Sequence, residues 1–150
     1  MSTKKDNFQL SDKKLMRLAI SLAENQKYFT GTNPSVGCVI AKNNKIISYG
    51  VTGKNGRPHA EINAINKKKS KDLNNSSIYV SLEPCTHYGK TPPCTNTLIK
   101  NKFKKVFFSH TDEDKRTKNT AKNILEKYKI NVKNNFINNK AKKLYSEYDF

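Results

Sequence analysis

Apolar positions along this chain fall into short runs whose spacing changes from helical to extended and back. Leu15, Leu18, Ala19, Leu22 and Ala23 recur at intervals of three and four, which predicts a helix to about Lys27, with Ser11 as its cap and Asp12 in its first turn. Gly31-Thr32-Asn33-Pro34 breaks that period. Val36–Ala41 follows as a continuous apolar run, predicting a buried strand, and Asn43-Asn44 predicts a hairpin turn into a second strand, Ile46–Gly50. Beyond a segment with Gly53, Gly56 and Pro58, a helix is expected from about His59, carrying Ala60, Ile62, Ala64 and Ile65. Ile78–Leu82 reads as a third strand, and Pro84 is expected to end it and open a helical turn. Further along, a helix near Thr95–Asn101, a strand Lys105–Ser109 and a helix over roughly Thr117–Tyr128 are expected. A weak strand near Ile130–Lys133 and a last helix Asn138–Tyr145 complete the order.

Strands alternating with helices imply an α/β domain: a five-stranded, mostly parallel mixed sheet covered on both faces, with the early hairpin as one antiparallel pair. One domain is expected over 11–150, preceded by a polar, frayed tail over 1–10. No stretch approaches the roughly 20 apolar residues needed to cross a bilayer, and no apolar signal segment follows Lys4-Lys5. Membrane and secreted readings drop out, and a cytoplasmic protein is expected.

Composition changes the picture in two ways. The net charge of +17 suggests a polyanionic partner, but only three of the 29 basic residues are arginine (Arg17, Arg57, Arg116), and bidentate reading of phosphate or base edges favours arginine. Lysine and asparagine are in excess together over every surface segment, as in Lys42-Asn43-Asn44-Lys45, so the charge reads as compositional drift and a nucleic-acid partner is not expected. The three cysteines form an odd set that cannot pair completely, and in a reducing compartment clustered Cys and His point to metal or catalysis.

Two stretches carry that chemistry: His59-Ala60-Glu61, and Pro84-Cys85-Thr86-His87-Tyr88-Gly89-Lys90-Thr91-Pro92-Pro93-Cys94. Each is expected to open a helix, whose positive end favours thiolate. His59, Cys85 and Cys94 make three ligands, one short of a closed tetrahedron, as in catalytic rather than structural zinc sites. Zinc so held lowers the pKa of a bound water to about 7. Glu61, two residues beyond the histidine, is placed to carry a proton from that water to a leaving amine. His-x-Glu, then Pro-Cys and a second Cys, is the signature of zinc nucleobase deaminases, in which the Glu is not a ligand. Cys38 is expected to be packing only, His110 structural or solvated, and Lys67-Lys68-Lys69 a solvated helix end. Tyr28 and Phe29 are expected in core or interface.

With these residues in view the chain resembles the pyrimidine deaminases of riboflavin biosynthesis, within the cytidine-deaminase-like superfamily. The likeness rests on Asn33-Pro34-Ser35-Val36-Gly37, His59-Ala60-Glu61, Leu82-Glu83-Pro84 and the eight-residue gap between Cys85 and Cys94, and runs from about Leu15 to Tyr145. It implies a three-layer α/β/α fold, bound zinc, and hydrolytic loss of ammonia from a diaminopyrimidinone bearing a ribosylamino 5′-phosphate. It further implies substrate contacts from Asn33, His87, Lys90 and Asp112, with Lys90 on the phosphate side. Thr52, where the family often has histidine, and Asp112-Glu113-Asp114-Lys115, where it has Asp-Pro-Asn-Pro, are expected at the substrate rim. Many members carry a C-terminal reductase, for which this length leaves no room, so a separate reductase is expected for the next step, and homo-oligomers are possible. A tRNA adenosine or free-nucleobase deaminase, and a non-catalytic zinc-containing binding module, are the alternatives.

Overall fold

The computed structural model describes residues 10–148. The first helix, α1 (Asp12–Gln26), begins where the Ser11 hydroxyl accepts the Lys14 N–H at 3.2 Å and buries the stripe Leu15, Met16, Ala19, Ile20, Ala23. Of the expected tail only Leu10 lies among the described residues; its N–H donates to the Asn44 carbonyl at 3.0 Å and its side chain packs on the core. Strands β1 (Gly37–Lys42) and β2 (Lys45–Val51) pair antiparallel around Asn43 and Asn44, both at positive φ (52° and 59°). That double left-handed turn matches the right-handed twist of the strands, and asparagine tolerates it better than most side chains.

A turn at Lys54–Gly56 leads into α2 (Ala60–Ile65), then a four-residue helix α3 (Ser70–Leu73), β3 (Ser77–Leu82), α4 (Cys94–Lys100), β4 (Lys105–His110), α5 (Ala121–Lys127), β5 (Asn131–Lys133) and α6 (Asn138–Tyr145). The five strands lie in the order β2-β1-β3-β4-β5. Two neighbouring pairs are parallel, β3/β4 and β4/β5; two are antiparallel, β1/β2 and β1/β3. The expectation of a single antiparallel pair is therefore corrected. The α2 crossover joins β2 to β3 in parallel, as strand–helix–strand units do, but β1 lies between them and runs against both.

Alternation along the strands divides the core into two. Cys38, Ile40, Ile78, Val80, Val106 and Phe108 face α2 to α5. Val39, Tyr79 and Phe107 face α1 and α6 on the other side, giving the three layers expected. Cys38 is fully buried in this packing, and burial pushes its thiol pKa up. Where α2 crosses β2, a Cβ on Gly50 would lie 2.4 Å from the Ala60 carbonyl and 2.6 Å from the Ala64 nitrogen. Only glycine lets the start of α2 lie this close to the sheet.

A buried hydroxyl relay joins the last helix to the loop after α1. Tyr145 donates to the Ser35 carbonyl at 2.8 Å and accepts from the Ser81 hydroxyl at 2.6 Å, which in turn accepts the Gly37 N–H at 3.0 Å. His110 stacks on the Tyr145 ring, with centroids 5.5 Å apart, and its Nδ1 pairs with Asn138 at 2.9 Å, so its role is structural as expected. Tyr28 is 85% exposed and Phe29 59%, which removes them from the core. Lys67, just past α2, bonds the Tyr49 carbonyl and lies over the Tyr49 ring, so it is pinned rather than merely solvated. Among the described residues no helix is long and apolar enough to cross a membrane.

Candidate active site

The three candidate ligands arrive by two local devices. His59 is the residue before α2, with extended φ/ψ (−63°, 155°), and its ring makes no capping bond to the helix. That frees the imidazole to point outward. Cys94 is the first residue of α4, set by Pro92-Pro93. Cys85 lies on no helix: the expected helical turn at Pro84 is not formed, and 83–93 is a loop. This loop closes on itself, the Cys85 carbonyl accepting both the Thr95 N–H (3.3 Å) and hydroxyl (3.2 Å), while the Cys94 N–H donates to Cys85 Sγ at 3.2 Å. An eight-residue gap thereby delivers two sulfurs to one place.

His59 Nδ1 lies 3.3 Å from Cys94 Sγ and 3.7 Å from Cys85 Sγ, and all three donor atoms fall within 4.8 Å of one another. Zinc bonds of about 2.0–2.1 Å to nitrogen and 2.3 Å to sulfur, at a tetrahedral angle, put N and S roughly 3.5 Å apart. The observed spacings straddle that value, so an imidazole and two thiols, all free of disulfides, fit a zinc ion. The hydrogen bond with Cys94 pulls the Cys85 thiol well below its ordinary range, and the same contact pushes Cys94 up. The pair thus has one thiolate ready for a cation, and His59 is held above its usual pKa chiefly by its hydrogen bond to Cys85.

Glu61 sits in the first turn of α2 and is only 3% exposed, yet it lines the same cavity. Burial raises its pKa, partly countered by His59. It is not one of the three clustered donors. A carboxyl of this kind, raised in pKa and facing a cavity, is a candidate for holding and passing on a proton.

Another wall comes from the loop after α1 and from Asp112, Asp114 and Arg116. Asn33, His87 and Asp112 line the cavity together with the metal-ligand candidates; Lys90 is exposed and does not. The Asn33 amide donates to the Gly56 carbonyl at 3.3 Å, and Gly56 is at φ 96°, where a Cβ would strike that amide at 2.2 Å. His87 Nδ1 pairs with Thr117 at 2.9 Å. Asp112 is pushed up to about 6, mainly by burial. Thr52 is not at the rim: it is buried beneath it, its hydroxyl accepting the Val36 N–H at 2.8 Å.

Three further charged side chains frame this wall without having been expected there. Glu83, at the end of β3, accepts backbone N–H groups from Asp112, Asn119, Thr120 and Ala121 at 3.1–3.2 Å. It caps α5 from a distance, and this is why the helix expected from Thr117 starts at Ala121; Asn119, at φ 61°, cannot continue a helix. Arg57 and Arg116 also line the cavity. The scarcity of arginine in the chain, with Arg57 only two residues before His59, was the available signal.

Residues 10–110 match the model of the cytidine and deoxycytidylate deaminase zinc-binding region. The chain is 45% identical over 101 residues to the riboflavin biosynthesis protein RibD of Aquifex aeolicus, covering 67% of this chain but only 28% of that protein. With the diaminohydroxyphosphoribosylamino-pyrimidine deaminase of Buchnera aphidicola subsp. Acyrthosiphon pisum it shares 40% identity over 127 residues, 85% of this chain and 86% of that one. Among solved structures, RibD of Acinetobacter baumannii superposes with a TM-score of 0.84 at 38% identity, covering 90% of this chain and 38% of the other. The chain therefore spans well under half of the RibD proteins and most of the Buchnera deaminase.

Proposed function

The chain belongs to the cytidine and deoxycytidylate deaminase family, and on that premise we propose that it hydrolyses the exocyclic amine of a phosphoribosylamino-diaminopyrimidinone, releasing ammonia. The observation that carries the reading is the convergence of His59, Cys85 and Cys94 on one point beside the buried Glu61. In this reading those three hold zinc, and the ion, when bound, supplies the Lewis acidity that makes water a nucleophile at neutral pH.

Glu61 takes a proton from the attacking water onto its carboxylate and gives it to the departing amine. Its burial serves the first half of that task, because a carboxylate raised in pKa is a stronger base, and the proton it then holds is the one the amine receives. Asn33, fixed by Gly56, and His87, fixed by Thr117, orient the pyrimidine against the ligand cluster. Asp112 faces the same space from the far wall and binds the substrate there.

The reading takes the protein to be cytoplasmic; a small phosphorylated pyrimidine as its partner and a reductase for the following step are what the names of its relatives suggest. The deciding experiment is ammonia release by zinc-loaded protein from the diaminopyrimidinone ribosyl phosphate. Saturable release supports the proposal. A folded, zinc-loaded protein that is silent on this substrate but forms inosine in tRNA overturns it.

A further inference from the structure

Of the chain's 29 basic residues only three are arginine, and two of these, Arg57 and Arg116, line the cavity, which no lysine does. A chain that uses lysine almost everywhere else puts its forked, planar cations at this one opening. We propose that Arg57 and Arg116 form a two-pronged clamp for the substrate's phosphate, with Asp114 as the positioning residue that sets the second prong. The proposal deepens the function above and rests on it only for which molecule the phosphate belongs to.

Each prong is anchored on one edge. Arg57 donates from Nη1 to the Thr91 hydroxyl at 3.1 Å, and its Nη2 lies against Gly89, where a Cβ would come within 3.5 Å. The guanidinium is therefore laid along the loop between the two cysteines, next to His59 in sequence. Arg116 donates to Asp114 from Nε at 3.0 Å and from Nη2 at 2.5 Å, and Asp114 also accepts the Arg116 N–H at 2.9 Å. No described hydrogen bond uses Arg116 Nη1. Asp114 is tied in turn by its own N–H to Asp112 at 2.9 Å. Lys90 sits at the tip of the Gly89–Thr91 turn, exposed and off the cavity.

The carboxylates nearby are already engaged. Asp114 pairs with Arg116 and offsets its charge, leaving that guanidinium to act through the Nη1 donors no described bond uses, and Glu83 accepts four backbone N–H groups. Burial moves Asp112 toward its neutral form. An entering phosphate thus meets two guanidinium groups, which can each engage two of its oxygens, where an ammonium offers a point charge.

The test compares Arg57→Gln, Arg116→Gln, Arg57→Lys, Arg116→Lys and Lys90→Gln, each loaded with zinc and checked for native circular dichroism. Two readouts are used: kcat/KM on the phosphorylated substrate relative to its dephosphorylated analogue, and calorimetric binding of ribose 5-phosphate. Each Gln variant is expected to lower that preference about 10- to 100-fold, mostly through KM, with the Lys variants recovering only part of it and Lys90→Gln losing less than either arginine. Asp114→Asn should give a smaller loss of the same kind. Ribose 5-phosphate affinity should fall in parallel. Equal losses on both substrates, or a larger loss in Lys90→Gln, overturn the clamp even while the deaminase stands. Arginine-dependent ribose 5-phosphate binding in a protein that deaminates nothing keeps the clamp and removes the deaminase.

Discussion

The two walls of the cavity are built on different principles. On one side His59, Glu61 and Cys94 sit at or just inside the starts of α2 and α4, and Cys85 is clasped to Thr95 through the backbone. Their positions follow from helix starts and main-chain bonds, and Gly50 lets α2 press onto the sheet. On the other side the segment 112–121 contains turns and a left-handed Asn119, and one side chain, Glu83, gathers four of its N–H groups. The first wall is set by main-chain geometry, whereas the second is gathered by side chains: Glu83, together with Thr86 and His87, which bond Thr117 and Thr120. Chemistry that tolerates little displacement belongs on the first wall; recognition that can vary between related chains belongs on the second.

Substitutions can break or sharpen that contrast. The largest effect is expected from Cys94→Ala, which removes one of only three donors: zinc measured per chain should fall well below one and turnover should vanish. Next, Glu61→Gln should keep zinc at one per chain while lowering kcat by about 10²- to 10⁴-fold; a variant that keeps substantial turnover removes Glu61 from proton transfer. On the tethered wall, Glu83→Ala strands four backbone donors and should cost about 2–4 kcal/mol in urea denaturation, with faster amide exchange confined to 112–121 and zinc content unchanged. Zinc loss in that variant would mean the two walls are not separable.

The smallest effect tests the pH behaviour of the tethered wall. Asp112 has a folded-state pKa of about 6, above its unfolded value, so the folded protein binds the extra proton. Its penalty is absent below the unfolded pKa and grows as pH rises through the window up to about 6. Asp112→Asn should therefore stabilise the protein above pH 6 by about 1–2 kcal/mol and change little at pH 4, as read from paired urea melts at pH 4 and 8. Stabilisation that does not vary with pH would exclude ionisation as its source.

The same contrast explains what could be read from the sequence. The helix α1, the hairpin, β3, β4 and α6 are visible because each carries enough apolar repeats, or a turn pair such as Asn43-Asn44, to show its own period. Helix α3 is four residues long, too short for any period to emerge. The start of α5 is not legible in the sequence because its cap comes from Glu83, 38 residues before Ala121. The second antiparallel pair was hidden because a crossover pattern does not reveal a strand lodged inside it. Within the site, the ligand cluster is legible as two compact motifs, whereas the closeness of Arg57 and Arg116 to one opening depends on the folded path of the 58 residues between them.

Tyr145 lies 110 residues after Ser35, yet its phenol oxygen supports the stretch next to Asn33. Damage near Tyr145 is therefore registered at the cavity wall: clipping ahead of it withdraws the prop beside Pro34 and leaves Ser81 and Ser35 without their shared phenol. A protease nick there would blunt substrate recognition while sparing the imidazole and the two sulfurs.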